Sequence, residues 1–187
     1  MEQYKKPNTA LLVMDMQTSM LSSHPGSPQL IASVAKAIEG ARAAKIPVIY
    51  VVVGFRAGAP EIGAGNKVFG AFKERYATAD PEEATRIEAT VAPLPNELVV
   101  TKRRFSAFTG SDLEVILRSW GIQHLVLTGF TTSGVVLSTL REAADKDYVL
   151  TVLSDCCMDR DEETHRFLIS KLFPRQAEVV TASEWLK

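Results

Sequence analysis

Cysteine is nearly absent from this chain, with two residues in 187, Cys156 and Cys157, side by side. Sequence neighbours cannot readily bridge each other, so no disulfide framework is expected. Histidine is scarce too: His24, His124 and His165 are scattered without ligand spacing, so no zinc site or other metal is expected. No charge of one sign dominates. Lysine and arginine number 21, aspartate and glutamate 22, for a formal net charge of -1. This balance carries no electrostatic footprint for nucleic acid or an anionic membrane. Long apolar runs are missing as well. The longest, residues 46–55, is broken by Pro47 and Gly54 and falls well short of the ~18 residues of a membrane span. The chain opens with polar residues, and the apolar run 10–14 that follows is too short for a signal-peptide core. A cytoplasmic protein is expected. Repeats, low-complexity segments and interdomain linkers are absent, and 1–187 is expected to form a single domain.

What is present is an alternation. Residues 10–14 (ALLVM), 47–55 (PVIYVVVGF), 97–102 (ELVVTK), 124–129 (HLVLTG), 149–154 and 177–180 read as strands. Their apolar runs are unbroken rather than alternating, which marks strands buried on both faces of a parallel sheet. Helical spacing follows most of them. Ser27-Pro28 opens a helix with Leu30, Ile31, Val34, Ala35 and Ile38 on one face. Ser111 and Glu114 have capping-box spacing before another. The segment 132–147 carries Val135, Val136, Thr139, Leu140, Ala143 and Ala144 as a buried stripe. Residues 161–172 form a further helix, with Asp159 or Asp161 as candidate cap. A short helix is expected within 69–79, and residues 81–95 read as a connection with one helical turn. Residues 54–70, with five glycines, read as a long loop. The class is α/β, a parallel sheet with helices on both faces.

In such folds ligands sit beyond the carboxyl ends of the strands, near the switch in strand order. The residues just past the apolar runs are therefore the candidates: Asp15, Gln17, Arg56, Lys102, Arg104, the turn from Phe130 to Gly134, and Asp155. A carboxylate at a strand end is partly desolvated and suits proton transfer, although an aspartate there equally caps a turn. Lys102 beside Asp15 would pair with it and stabilise a reacting group; by itself it is an ordinary surface lysine. Arg104, on the same side of its strand as Lys102, offers a planar fork to a substrate carboxylate, or forms a solvated basic turn with Arg103. Arg56 and Lys67, beside the glycine-rich loop, offer the same. The turn Phe130, Thr131, Thr132, Ser133, Gly134 aims backbone amides where an oxyanion or carboxylate would bind; Thr132 and Ser133 also suit plain helix capping.

Three segments together, VMDMQ around Asp15, TKRRFSAF around Lys102 and LTGFTTSGVVLSTLREAADKDY, resemble the isochorismatase-like (cysteine hydrolase) superfamily, in order over nearly the whole chain. The resemblance implies a Rossmann-like three-layer sandwich with a six-stranded, mostly parallel sheet. It also implies a homodimer or homotetramer and hydrolysis of a small molecule, either an amide or an enol ether. It assigns Asp15 and Lys102 to the catalytic set and Gln17, Arg104 and residues 130–134 to substrate binding. It places a non-proline cis peptide at Phe130-Thr131 and implies no cofactor. At the family's usual nucleophilic cysteine this chain has Val135, which offers neither nucleophile nor proton. Ser133 and Ser138 lie close in sequence, but neither shares the position of Val135 on a helix. Cys156 reads as a small buried residue.

Two readings follow. One is a hydrolase of a small anionic molecule working by Asp15 and Lys102 acid–base chemistry, as in isochorismatases that lack the cysteine. The other is a small-molecule-binding or scaffold protein that kept the fold and lost the chemistry.

Overall fold

The computed structural model describes residues 8–187; the polar opening weighed above as a leader, residues 1–6, lies outside them. Chain order begins with strand β1 (Thr9–Met14), helices α1 (Thr18–Leu21) and α2 (Ser27–Ala43), and strand β2 (Val48–Val53). Three short helices follow: α3 (Lys67–Ala71), α4 (Lys73–Thr78) and α5 (Pro81–Thr85). Then come β3 (Leu98–Lys102), α6 (Leu113–Ser119), β4 (His124–Phe130), α7 (Leu137–Asp145), β5 (Val149–Met158), α8 (Glu162–Phe167), β6 (Glu178–Val180) and α9 (Ala182–Trp185).

The strands form one six-stranded sheet in the order β3-β2-β1-β4-β5-β6. Every neighbouring pair is parallel, so the expectation of a mostly parallel sheet is met by a wholly parallel one. The central strands explain their unbroken apolar runs. In β1, Ala10, Leu12 and Met14 join a core with Leu117, Val135 and Leu140. Leu11 and Val13 join a second core with Leu30, Val34 and Ile38 of α2. Alternate side chains enter opposite layers, and each layer is apolar.

Strand order switches between β1 and β4, whose register pairs Met14 with Gly129. The next residues, Asp15 and Phe130, therefore emerge side by side at the carboxyl edge. Gly129 has φ 138°, and a Cβ there would lie 2.1 Å from the Met14 carbonyl oxygen. Only glycine lets the two backbones approach this closely.

Several local expectations are corrected. The capping box of Ser111 and Glu114 does not form. Ser111 Oγ donates to the Ala107 carbonyl, 2.6 Å, and accepts from the Leu113 amide, while Glu114 reaches outward to Lys146. The 69–79 helix is two helices, α3 and α4, joined at Phe72. The connection 81–95 holds α5, capped by Asp80, and a turn of 3-10 helix at Ala89–Val91. The 132–147 helix opens with a wider π turn, Thr132–Val136, before α7. Asp161, rather than Asp159, caps α8 by accepting the Thr164 amide. Finally, β5 runs four residues beyond Ser154. A bulge lies in its pairing with β4, between Leu127–Val152 and Gly129–Cys157, and it absorbs the polar Ser154 and Asp155 without ending the strand.

Candidate active site

Asp15 closes β1 in the left-handed region, φ 54°, while its amide still donates to the Val51 carbonyl at 2.8 Å. Aspartate tolerates this conformation better than most residues. The kink holds the carboxyl at the sheet edge, where one oxygen, Oδ2, lies 2.9 Å from Lys102 Nζ. Both residues are buried, with 5% and 1% of their surface exposed. Lys102 reaches across from the last position of β3, opposite Val53. Its ammonium also donates to the Arg104 carbonyl, 2.8 Å away. Of its three protons, one remains without a partner among the described residues. The other carboxyl oxygen, Asp15 Oδ1, is buried and makes no hydrogen bond. Burial raises the Asp15 pKa above the usual carboxylate range, and the Lys102 ammonium opposes the rise only in part. A buried carboxyl with a raised pKa, one oxygen paired with a fixed cation and the other unsatisfied, is an arrangement for proton transfer.

The remaining candidates are placed differently. Gln17 is buried and behaves as an extra strand. Its Oε1 accepts the Val53 amide at 2.9 Å, and its Nε2 donates to the carbonyls of Val53 and Ala84. This anchors the turn after Asp15 to β2 and α5, and leaves its amide little to offer a substrate. Arg104 does not present its fork to the site. Its guanidinium donates to the carbonyls of Arg103 and Glu61, 2.6 and 2.7 Å, over the Phe69 ring. Only its backbone carbonyl faces Lys102. Arg56 pairs with Glu61 on the surface, Lys67 begins α3, and Asp155 accepts the Ala182 amide at the start of α9.

The Phe130-Thr131 peptide is cis, as the resemblance implied. The Phe130 ring enters the core beside His24 and Arg160. The Ser133 and Gly134 amides of the turn already have partners within the chain. Gly134 N donates to Thr131, through the carbonyl at 3.2 Å and Oγ1 at 3.1 Å. Ser133 N donates to Asp159 Oδ2 at 2.6 Å. Thr132 is fully buried and its hydroxyl meets His165 Nδ1 at 2.8 Å. His165 is thus held to the turn, and burial lowers its pKa more than nearby Asp159 raises it. Asp159 and His165 form a clasp from the end of β5 and from α8 that sequence reading missed. The rule of looking just past a strand would have found Asp159, had β5 been read to its true end.

Val135 lies on the π turn with 1% of its surface exposed, within the apolar core that includes Met14 and Ala107. Ser133 is exposed and Ser138 half-buried. Neither hydroxyl forms a hydrogen bond to a base among the described residues. Cys156 and Cys157 are buried within β5 rather than beyond it. Burial, with Asp155 adding to it, pushes the Cys156 thiol far up; burial pushes the Cys157 thiol up to about 12. Thiols without accessible thiolate are poor nucleophiles. Iodoacetamide is therefore expected to leave both unmodified in the folded protein and to label both after denaturation, read by intact mass. Rapid labelling of the native chain would contradict their burial.

Among the described residues no cluster of three potential metal ligands occurs, and no helix is long and apolar enough to cross a membrane.

A family model described as the isochorismatase domain matches residues 9–184. The ureidoacrylate amidohydrolase RutB of Variovorax paradoxus (strain S110) is 32% identical over 170 residues, covering 79% of this chain and 68% of its own. The uncharacterized isochorismatase family protein YecD of Escherichia coli O157:H7 is 31% identical over 186 residues, covering 95% and 94%. Among solved structures, an isochorismatase family protein from Burkholderia thailandensis superposes with a TM-score of 0.83 at 29% identity, covering 96% of this chain and 94% of its own.

Proposed function

Because this chain belongs to the isochorismatase domain family and is a hydrolase of that family, we propose that it cleaves an enol-ether or an amide C–N bond of a small anionic molecule by proton transfer at Asp15, without a thiol nucleophile. The observation that carries the reading is the Asp15 carboxyl itself: buried, paired at one oxygen with Lys102, unpartnered at the other, and raised in pKa. Nothing nucleophilic stands at Val135, so water supplies the oxygen.

For an enol ether, protonated Asp15 donates to the terminal vinylic carbon, and the former double bond becomes an oxocarbenium. Water adds to that cation and returns its proton to Asp15; the hemiketal then collapses to a ketone and an alcohol. For an amide, Asp15 first takes a proton from the attacking water and then passes it to the leaving nitrogen. In both routes the Lys102 ammonium offsets negative charge, on Asp15 or on the tetrahedral oxygen. The raised Asp15 pKa supports the acid-first route. The amidohydrolase activity named for the Variovorax relative supports the second.

The two routes have opposite pH signatures. Donation by Asp15 requires the proton, so kcat on an enol ether falls as pH rises through the raised Asp15 pKa. Abstraction requires the anion, so kcat on an amide rises through the same pKa. The test is a pH series on isochorismate and on a panel of N-carbamoyl amines and simple amides. Steady turnover with either limb supports the reading; no turnover of any member removes it.

The reading includes a homodimer or homotetramer. Leu98 and Val99, exposed apolar residues on the edge strand β3, support an interface there.

A further inference from the structure

Beside the Asp15 strand end lies a cavity of about 190 Å³ lined by residues from three parts of the chain, among them Gln17, Phe72, Arg75, Tyr76, Ala84 and Arg160. Gln17, two residues past Asp15, forms one wall. Arg75 and Tyr76 come from α4, and Arg160 follows the end of β5. We propose that this cavity is the subsite that holds the substrate's carboxylate, with Arg75 and Arg160 as its two guanidinium donors. The proposal rests on the hydrolase reading above and supplies the anion-binding element that Arg104 does not.

Three observations carry it. First, neither Arg75 nor Arg160 has a carboxylate partner among the described residues. By contrast, Arg56 and Arg103, on the neighbouring loop and strand end, both reach Glu61. Arg75 and Arg160 are solvent-exposed residues that line the same cavity, so a carboxylate there would meet two cations free of competing carboxylates. A guanidinium is also the cation best shaped for a carboxylate, through paired N–H donors.

Second, the cavity wall carries a phenol without a hydrogen-bond partner. Burial raises the Tyr76 pKa, Asp15 adds to the rise, and Arg75 and Arg160 oppose it. The Tyr76 ring is held by Phe55, 4.7 Å between centroids, and its hydroxyl makes no hydrogen bond within the described residues. Such a phenol, in the wall that Arg75 and Arg160 also line, is a third donor for a bound anion.

Third, Arg160 is tied to the catalytic turn. Its backbone amide donates to Asp159 Oδ1 at 2.8 Å, and the other oxygen of that carboxylate accepts the Ser133 amide. Its guanidinium lies 5.9 Å from the centre of the Phe130 ring. Asp159 thus occupies a turn amide that an external anion would otherwise take.

The test pairs charge with turnover. Binding of N-carbamoylglycine and of its neutral carboxamide is measured by calorimetry on the wild type and on Arg75→Gln, Arg160→Gln and Asp15→Asn. The carboxylate is expected to bind the wild type, to bind Asp15→Asn at least as tightly because a nearby negative charge is gone, and to bind each arginine variant about tenfold more weakly than the wild type, the loss of one charged hydrogen bond. The carboxamide is expected to bind all four weakly and equally. Equal affinity of the two probes for the wild type, no saturable binding of the carboxylate, or arginine variants that bind like the wild type would each overturn the subsite. The two readings fail separately. Charge-selective binding with no turnover of any panel member retains the subsite and removes the hydrolase. Turnover with equal kcat/KM for carboxylate and carboxamide substrates retains the hydrolase and removes the subsite.

Discussion

Replacing Asp15 with asparagine is expected to lower kcat by about 10²- to 10⁴-fold, the range that a positioned proton-transfer group contributes. It is also expected to destabilise the fold by on the order of 3 kcal/mol, because Lys102 would keep a buried charge facing only neutral oxygens, the Arg104 carbonyl and the new amide. Asparagine has the shape of aspartate, so neither effect comes from lost packing. The double variant Asp15→Asn, Lys102→Met separates the two losses. Replacing a whole buried ion pair by neutral groups of similar volume is often neutral or stabilising. Unfolding midpoints of the double variant are therefore expected to recover most of the lost stability, while turnover stays at or below that of Asp15→Asn. That pattern would show a pair retained for chemistry at the expense of the fold. If both variants were equally unstable, the pair would be structural.

Lys102→Met alone extends the argument to pH. Removing the ammonium removes the influence that holds the Asp15 pKa down, so burial raises it further. A carboxyl whose folded pKa exceeds its unfolded value, about 3.9, stabilises the fold fully below the unfolded value. That contribution is lost as pH rises through the folded value. Stability of Lys102→Met is accordingly expected to decline with rising pH over a wider window than that of the wild type. Denaturant midpoints taken at several pH values test the sign.

Much of this site is legible in the sequence, because it follows from where apolar runs stop. Asp15 and Lys102 each end a strand whose neighbours are apolar, and the order β3-β2-β1 carries both to one edge. Arg104 was misplaced because alternation along a strand stops predicting direction once the strand ends at Lys102. Beyond it, the guanidinium follows the carbonyls of Arg103 and Glu61. Asp159 and Arg160 escaped because Ser154 and Asp155 looked like the end of β5. The bulge beside β4 lets the strand continue through those polar residues, and no periodic pattern announces a bulge. Arg75 and Tyr76 sit on a short helix inside a connection, and Tyr76 packs on Phe55, a residue far from it in sequence. Side chains placed by strand ends are readable in advance; those placed by contacts between distant loops are not.

The substitution Val135→Cys tests how much of thiol chemistry the chain still supports. Cysteine is slightly smaller than valine and similarly apolar when protonated, so the change is expected to cost less than about 1.5 kcal/mol. A thiol on the opening turn before α7 lies at a helix N-terminus, where the helix dipole favours the thiolate. The resemblance to the cysteine hydrolases puts Asp15 and Lys102 in the same catalytic group as that position. Position 135 is as buried as the native thiols, so only the helix dipole distinguishes it: the variant is expected to take one equivalent of iodoacetamide, more slowly than an exposed thiol but faster than Cys156 and Cys157, whose thiols burial pushes up. With N-carbamoyl substrates it is expected to show a burst and a carbamoyl adduct by intact mass, neither of which the wild type gives. Covalent catalysis divides a difficult step into two easier ones, so amide turnover should rise while enol-ether turnover, which needs only the Asp15 proton, stays unchanged. A thiol at 135 as inert as Cys157 would mean that the Met14–Ala107 core has closed around this position. The chain's hydrolysis would then depend on Asp15 and water alone.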